Sequence, residues 1–216
     1  MSRTPIALLS VFALLFSVSL AAPPAHADDH AEDQYAPTPE LVDALRGGGY
    51  VIYIRHAQTE KDYADQVTAD PNDGSTQRVL SEAGWHQAKA IGQGFRKLAI
   101  PVGHVYTSEY FRAWQTADLA FGRYEKLPQL NFLPFEDYTE DQVKLMQERV
   151  KPLVVEVPDD AMNTVIVAHD DPFEAVTGIY PEPQGTAYVL KPDGEGDFKV
   201  VARVEARGWL ALAEAE

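Results

Sequence analysis

Three segments of the chain place arginine or histidine beside apolar, strand-like runs. They are "YVIYIRHAQT" at 50–59, "TSEYFRAWQTA" at 107–117 and "NTVIVAHDD" at 163–171. A guanidinium can bind two oxygens of one anion, and Arg55 and Arg112 supply two such groups. An imidazole that is neutral near physiological pH is a nucleophile, and His56 and His169 supply two of those. These residue types together fit a site that binds a phosphoryl group and attacks its phosphorus.

The side chains meet only if the elements that carry them belong to one sheet. Helical spacing alternates with short apolar runs along the chain, which favours an α/β fold. We expect a three-layer sandwich with a mostly parallel central sheet flanked by helices. Ligands of such sheets bind beyond the carboxyl ends of the strands, where the three segments carry their polar residues. The predicted strands cover 50–54, 104–108 and 163–169, the helices 39–46, 82–98, 109–121, 139–151 and 173–177, and a terminal hairpin 186–191 and 198–204.

In order and spacing, the segments resemble the histidine phosphatase (phosphoglycerate mutase-like) superfamily, from residue 50 to the terminal hairpin. The resemblance rests on "RHAQT", followed by Ser-x-x-x-Arg-Ala-x-Gln-Thr-Ala and then a histidine at the end of a strand. It implies that His56 becomes phosphorylated and that Arg55 and Arg112 bind the phosphoryl group. It also implies that His169 is the second histidine of the pocket. The family is metal-independent, so no cofactor is implied.

Further residues are expected at the substrate. By the same resemblance, Thr59 orients the pocket by hydrogen bonding and Gln58 lies beside it. Arg78 follows an aperiodic stretch rich in turn formers and is a candidate for a third basic contact at the rim of the pocket. A solvated loop arginine is an equal alternative for this residue.

The leaving alcohol needs a proton, which a carboxylic acid can supply. One branch of the family uses a glutamate about two dozen residues after the second arginine, which falls on Glu136 in "LPFEDY". Another branch uses the aspartate after the second histidine, which falls on Asp170. The length of the chain and its lack of large insertions favour Glu136. The sequence "HDD" also adds a negative charge near the phosphate site.

The same residues allow other interpretations. A metal site built from the two histidines and carboxylates is disfavoured, since the neighbouring arginines would repel a cation. Arg112 has an alternative partner in Glu109, one helical turn away. His86 and His104 are expected to have no catalytic role. The remaining predictions are caps at Ser81, Ser108 and Asp171, and core positions at Trp85, Phe95, Trp114 and Phe121.

The first 27 residues carry the pattern of a secretory signal peptide. Arg3 precedes the apolar run "IALLSVFALLFSVSLAA", and "AHA" supplies small residues for cleavage after Ala27. We therefore expect a secreted or periplasmic protein, with an irregular acidic lead-in at 28–38 and one domain at 39–216. The chain has no cysteine, which excludes disulfides and thiolate chemistry.

The formal net charge of −15 makes nucleic acid and anionic membranes unsuitable partners. A small phosphorylated substrate then requires a locally positive pocket. The sequence and the resemblance together predict an exported phosphomonoesterase that acts through a phosphohistidine at His56. A mutase of the phosphoglycerate mutase type and a non-catalytic phosphate-binding module are the alternatives. The sequence leaves the oligomeric state open.

Overall fold

A computed structural model describes residues 34–61, 65–66, 69–134 and 137–215 of the chain. Its centre is a six-stranded sheet with the strand order β3-β2-β4-β1-β5-β6. The predicted signal peptide and Glu136 lie outside the described residues. The strands are β1 (Val51–Arg55), β2 (Val102–Thr107), β3 (Glu125–Lys126), β4 (Asn163–Ala168), β5 (Ala187–Pro192) and β6 (Phe198–Val204).

Four neighbouring strands of the sheet run parallel. β4 lies between β2 and β1 and pairs in parallel with both, and β3 extends this part at the β2 edge. β5 joins β1 on the other side in antiparallel orientation and continues into the predicted hairpin with β6. The prediction of a mostly parallel central sheet flanked by helices is confirmed. β1 therefore has one parallel and one antiparallel neighbour, and both lie next to its polar end.

Helices cover both faces of the sheet, and the strands alternate between two cores. Ile52 and Ile54 of β1 pack into one core, while Val51 and Tyr53 pack into the other. This alternation explains why β1 is apolar throughout its length. The helices are α1 (Leu41–Gly47), α2 (Glu82–Lys97), α3 (Phe111–Phe121), α4 (Glu140–Val155), α5 (Asp170–Thr177) and α6 (Gly208–Ala215). The first core contains residues of α1, α2, α3 and α6, and the second contains residues of α4 and α5.

Helix α2 begins as predicted, because the side chain of Ser81 accepts a hydrogen bond from the backbone N–H of Gly84. Its buried stripe differs from the prediction. Trp85 is 52% exposed, so its assignment to the core is wrong, while Phe95 is buried as expected. Gly84 takes the inward position instead, since a Cβ atom there would lie 2.0 Å from the carbonyl oxygen of Gln58. The helix thus contacts the segment after β1 directly through its backbone.

Two predicted caps are wrong. Helix α3 begins one residue after Tyr110, and no side chain caps it, so Ser108 does not serve that purpose. Helix α5 begins at Asp170 and likewise has no side-chain cap, so Asp171 is a residue of the helix itself. Both side chains instead take part in contacts near the strand ends, which are described below.

The ends of the described chain contain more structure than the sequence predicts. Tyr35 belongs to the expected irregular lead-in, yet its ring packs edge-on against Tyr188 and its carbonyl accepts a hydrogen bond from the N–H of Arg203. Helix α6 follows the hairpin and is not predicted. It buries Trp209 against the ring of Phe95. Within the described residues, no helix is long and apolar enough to cross a membrane.

Candidate active site

The carboxyl ends of β1 and β4 bring the two histidines together. His56 follows β1 and His169 follows β4, and the backbone N–H of His56 donates to the carbonyl of Ala168. The ring centroids of the two histidines are 5.5 Å apart. Both side chains are buried, with 0% and 1% of their surface exposed. The parallel pairing of two strands therefore explains why residues more than a hundred positions apart share one site.

The hydrogen bonds of His56 define which ring nitrogen is free to attack. Its Nδ1 lies 2.9 Å from the carbonyl oxygen of Ala57, which can only accept, so Nδ1 carries the proton. Its Nε2 accepts a hydrogen bond from Nε of Arg112 at 3.2 Å. Burial lowers the pKa of His56 well below 6.5, and the charges of Arg112 and Arg55 lower it further. The ring is thus neutral near physiological pH, with a lone pair on Nε2.

The backbone after His56 is held by three side chains. The N–H of Ala57 donates to Oγ1 of Thr116 at 3.0 Å. The N–H groups of Gln58 and Thr59 donate to the amide oxygens of Gln87 and Gln184 at 2.8 and 2.9 Å. The backbone of Thr59 is thus fixed by a residue from the segment before β5, and that of Gln58 by a residue from α2.

His169 is held at Nε2, whereas His56 is held by the protein carbonyl at Nδ1. Nε2 of His169 lies 2.8 Å from Oγ of Ser108, while Nδ1 is buried and no described residue forms a hydrogen bond with it. The rings of Tyr110 and Phe132 pack edge-on against it. Burial is the main cause that lowers the pKa of His169 well below 6.5, and the charge of Arg112 is the second. Nδ1 is consequently the ring nitrogen that remains available to a ligand.

Arg55 is surrounded by acceptors that belong to the protein. Its guanidinium forms ion pairs with Asp170 and with Glu182, the second at 2.9 Å, and donates to the carbonyl of Pro181 at 2.9 Å. Although burial opposes its charge, these carboxylates raise the pKa of Arg55. Its Nε is buried and has no hydrogen-bond partner within the described part of the chain, which leaves one donor for an anion.

Arg112 has a different environment. Its Nη1 pairs with the carboxylate of Asp65 at 3.0 Å, and its guanidinium lies over the rings of Tyr110 and Phe132 at 5.3 and 5.0 Å. Burial lowers its pKa, although Asp65 opposes that effect. The alternative pairing with Glu109 is not observed, since Glu109 accepts a hydrogen bond from Asn131 instead.

Arg78 lines a cavity at the site. Its positive charge lowers the pKa of both His56 and His169, and its Nε is buried with no hydrogen-bond partner among the described residues. Its backbone N–H donates to Asp65 at 2.7 Å. A polar cavity of about 460 Å³ adjoins these groups, and its lining includes Arg55, Gln58, Thr59, Arg78, Gln87 and Gln184. The cavity offers space for the part of a ligand that lies beyond an anion bound between the arginines.

The two candidates for the general acid are Asp170 and Glu136. Asp170 accepts from Arg55 and from the hydroxyl of Tyr180, the latter at 2.7 Å. Glu136 lies outside the described residues. Asp171, predicted as a cap, instead accepts from the hydroxyl of Tyr138 at 2.9 Å, and burial together with the charge of Asp170 raises its pKa to about 6.

Several groups of the site carry no signal in the sequence. Asp65 lies in the aperiodic stretch before α2, and Gln184 lies in a short turn before β5. The position of Asn131 is equally unmarked, although it connects Ser108 to Glu109. His86 and His104, which are expected to have no catalytic role, have side chains that are 74% and 53% exposed. Among the described residues, no three His, Asp or Glu side chains are grouped so that they could hold a metal ion.

Comparisons with known proteins give a family match and a shared fold. The model of the histidine phosphatase superfamily (branch 1) matches residues 51–149. The structure of the protein histidine phosphatase SixA complexed with tungstate has a TM-score of 0.53 and 16% identity, covering 73% of this chain and 97% of its own. A phosphoserine phosphatase mutant from Entamoeba histolytica, in complex with phosphoserine, has a TM-score of 0.57 and 13% identity, covering 74% and 98%.

A mycobacterial glucosyl-3-phosphoglycerate phosphatase in complex with VO3 has a TM-score of 0.53 and 17% identity, and covers 71% of this chain and 97% of its own. At these identities the three structures establish a shared fold. A search of curated protein sequences gives no match.

Proposed function

Because this chain belongs to the histidine phosphatase superfamily, we propose that it is an exported phosphomonoesterase that acts through a phosphohistidine at His56. The observation that carries the proposal is the arrangement of the His56 ring. Its Nδ1 proton is held by the carbonyl of Ala57, and its Nε2 lone pair lies beside the Nε–H of Arg112. A neutral imidazole with its nucleophilic nitrogen beside a guanidinium is suited to attack on a bound dianion.

In the first half of the reaction, Nε2 of His56 attacks phosphorus. A nitrogen–phosphorus bond forms as the bond from phosphorus to the ester oxygen breaks. Arg112 and the free Nε of Arg55 bind the oxygens of the phosphoryl group, and His169 binds a third through Nδ1. Both guanidinium groups are held by ion pairs and stabilise the negative charge of the transition state.

In the second half, water attacks the phosphohistidine, and the nitrogen–phosphorus bond breaks to release inorganic phosphate. The carboxyl group that protonated the leaving alcohol in the first half now accepts a proton from the water. We assign this role to Glu136. The contacts of Asp170 support this choice, because both Arg55 and Tyr180 already donate to its carboxylate.

We propose that the substrate is a small phosphate ester with a polar alcohol. The cavity beside the arginines is lined by the side chains of Gln58, Gln87 and Gln184. Because the amide oxygens of Gln87 and Gln184 accept from backbone N–H groups, their NH2 groups remain as donors. Hydroxyl or carboxylate oxygens of an alcohol suit such donors. The apolar run and "AHA" at the N-terminus support export before the enzyme meets this substrate.

The test uses purified mature protein and an aryl phosphate in the presence of EDTA. Hydrolysis that persists in EDTA and is lost in His56→Ala supports the proposal. A phosphoenzyme that is labile to acid and stable to alkali, and that is absent from His56→Ala, would identify the phosphohistidine. Binding of vanadate without hydrolysis of any monoester would instead indicate a phosphate-binding module. Isomerisation of a phosphorylated sugar acid without release of phosphate would indicate a mutase.

A further inference from the structure

A chain of polar side chains lies behind His169 and has no assigned part in the reaction. Oγ of Ser108 lies 2.8 Å from Nε2 of His169 and 2.8 Å from Oδ1 of Asn131. Nδ2 of Asn131 lies 2.8 Å from a carboxylate oxygen of Glu109. Three residues from the start of α3 and from the loop after β3 are thus connected in series to the second histidine. The hydrogens that these groups can donate determine which ring nitrogen of His169 carries the proton.

The orientation of the Asn131 amide is fixed by its neighbours. The backbone N–H of Glu109 donates to one end of the amide at 2.9 Å, so that end is the oxygen. The other end faces the carboxylate of Glu109, which accepts, so it is the NH2 group. The amide therefore presents an acceptor, Oδ1, to the hydroxyl of Ser108.

The hydroxyl of Ser108 has one proton to donate and two lone pairs that accept. Its neighbours are Oδ1 of Asn131, the backbone N–H of Tyr110 at 3.2 Å and Nε2 of His169. Since Oδ1 can only accept, the proton of Ser108 is used there. Ser108 then accepts from Tyr110 and from His169. Every hydrogen bond around this oxygen is satisfied only when Nε2 of His169 carries a proton.

From this geometry we propose that Glu109, Asn131 and Ser108 are positioning residues that keep the proton of the neutral His169 ring on Nε2. The nitrogen left bare is Nδ1, which is buried and has no hydrogen-bond partner among the residues that the structure describes. The assignment of the ring proton stands independently of any activity. Its meaning for catalysis rests on the proposed function, in which Nδ1 faces the phosphoryl group.

A bare Nδ1 has a consequence for anion binding. To donate a hydrogen bond to a dianion, Nδ1 must first take up a proton, so the ring becomes an imidazolium as the ligand binds. The charged and titratable groups that act on His169 from neighbouring elements are Arg112, His56, Arg78 and Arg55. All of them oppose the proton in the empty site. A bound dianion offsets these charges, so binding and protonation are coupled.

The experiment reads the tautomer of His169 by NMR of its ring nitrogens at pH 8, with no ligand present. In the wild type we expect the proton on Nε2. In Asn131→Ala, the hydroxyl of Ser108 loses its acceptor and turns to Nε2, so the proton moves to Nδ1. The double variant Glu109→Gln with Asn131→Asp exchanges the amide and the carboxylate, again presents an oxygen to Ser108, and returns the proton to Nε2.

A second measurement counts protons taken up when tungstate, a tetrahedral dianion at pH 8, binds to the full mature chain. Calorimetry in buffers of different ionisation enthalpy should give about one proton per tungstate for the wild type, by linkage. It should give close to none for Asn131→Ala, whose neutral ring already carries a proton on Nδ1. Asn131→Leu removes the same acceptor with a smaller change in volume and is the second variant should Asn131→Ala fold poorly.

The control is Thr177→Ala, which deletes a hydroxyl at the far end of α5 that bonds only to Phe173 and to residue 179. It should leave the tautomer and the proton count unchanged. An Nδ1–H tautomer in the wild type, or an Nε2–H tautomer that persists in both Asn131→Ala and Asn131→Leu, would overturn the proposal. Neither readout requires turnover, so an inactive protein with the expected tautomers would refute the proposed function alone.

Discussion

Arg55 and Arg112 lie at one site but on different elements. The residues that pair with them also come from different parts of the chain. Arg55 ends β1 and is paired with Asp170 and Glu182, which belong to α5 and to the segment before β5. Arg112 lies in the first turn of α3, and its ionic partner is Asp65, in the aperiodic stretch before α2. The carboxylates raise the pKa of Arg55 against the effect of burial, whereas burial lowers that of Arg112 despite Asp65.

This difference indicates that the two arginines have different roles. The partners of Arg55 lie next to the sheet and occupy most of the donors of its guanidinium. The contact with Asp65 occupies one donor of Arg112, the residue that we propose binds the phosphoryl group. A phosphoryl group therefore competes with Asp65 for the charge of Arg112. Arg55 combines structural and binding roles, and Arg112 is principally a binding group.

The largest effect is expected from Arg112→Ala. Removing a guanidinium that stabilises the charge of the transition state should lower kcat/KM by about 10²–10³-fold. Arg112→Lys retains the charge without the paired donors and should give an intermediate loss. Steady-state kinetics on an aryl phosphate provide the measurement. Equal rates for the alanine variant and the wild type would contradict the assigned role of Arg112.

Arg55→Ala should differ by losing stability as well as activity. Without the guanidinium, the largely buried carboxylate of Asp170 has no cationic partner. This loss should lower the free energy of unfolding by about 2–3 kcal/mol. Arg112→Ala should cost less, since the carboxylate that it releases, Asp65, lies in an irregular segment and can regain contact with water. Urea unfolding followed by circular dichroism measures both. The comparison fails if the two variants are destabilised equally.

Asp65→Asn should strengthen substrate binding. It removes the negative charge that competes for Arg112, so KM should fall about fivefold, which corresponds to about 1 kcal/mol for a partly exposed pair. Asp118→Asn changes the charge of the chain equally at an exposed position of α3 and should leave KM unchanged. A higher KM in Asp65→Asn would show that this carboxylate assists the substrate.

The smallest effect concerns the pH dependence of His56. Its lowered pKa keeps the ring neutral down to values below 6.5, and activity should be lost as the pH falls through that pKa and the nucleophile becomes protonated. Arg78 contributes to the lowering, so Arg78→Gln should move the titration of His56 slightly upward. NMR titration of the ring measures the shift. Arg207→Gln, at an exposed position, is the charge-matched control and should have no effect.

The sequence predicts the parts of this site that follow from strand ends. Arg55, His56 and His169 each come directly after an apolar run, and parallel strands must bring such positions to one edge of the sheet. The helix after β2 carries Arg112 in its first turn for the same reason. The residues that complete the site, such as Asp65 and Gln184, come from segments with no hydrophobic period, where local pattern does not determine position.

The misplaced Trp85 shows a second limit of the sequence pattern. Helical spacing allows either Trp85 or Gly84 to begin the buried stripe of α2, and hydrophobicity favours tryptophan. The close approach of the helix to Gln58 excludes any side chain at position 84, so the glycine faces inward and the tryptophan outward. That contact belongs to the tertiary fold and is invisible to a count of apolar residues.

The antiparallel pairing of β5 with β1 also governs when the site forms as the protein folds. Arg55 and its partners Tyr180 and Glu182 are 125 and 127 residues apart in sequence, and Ser108 and His169 are 61 apart. Contacts of such separation require closure of long loops and come late in folding. A nascent chain that ends before Tyr180 lacks the residues that surround Arg55 on this side. Tungstate binding should therefore report on chains that have completed folding, and a refolding assay based on it would exclude intermediates that already contain the parallel half of the sheet.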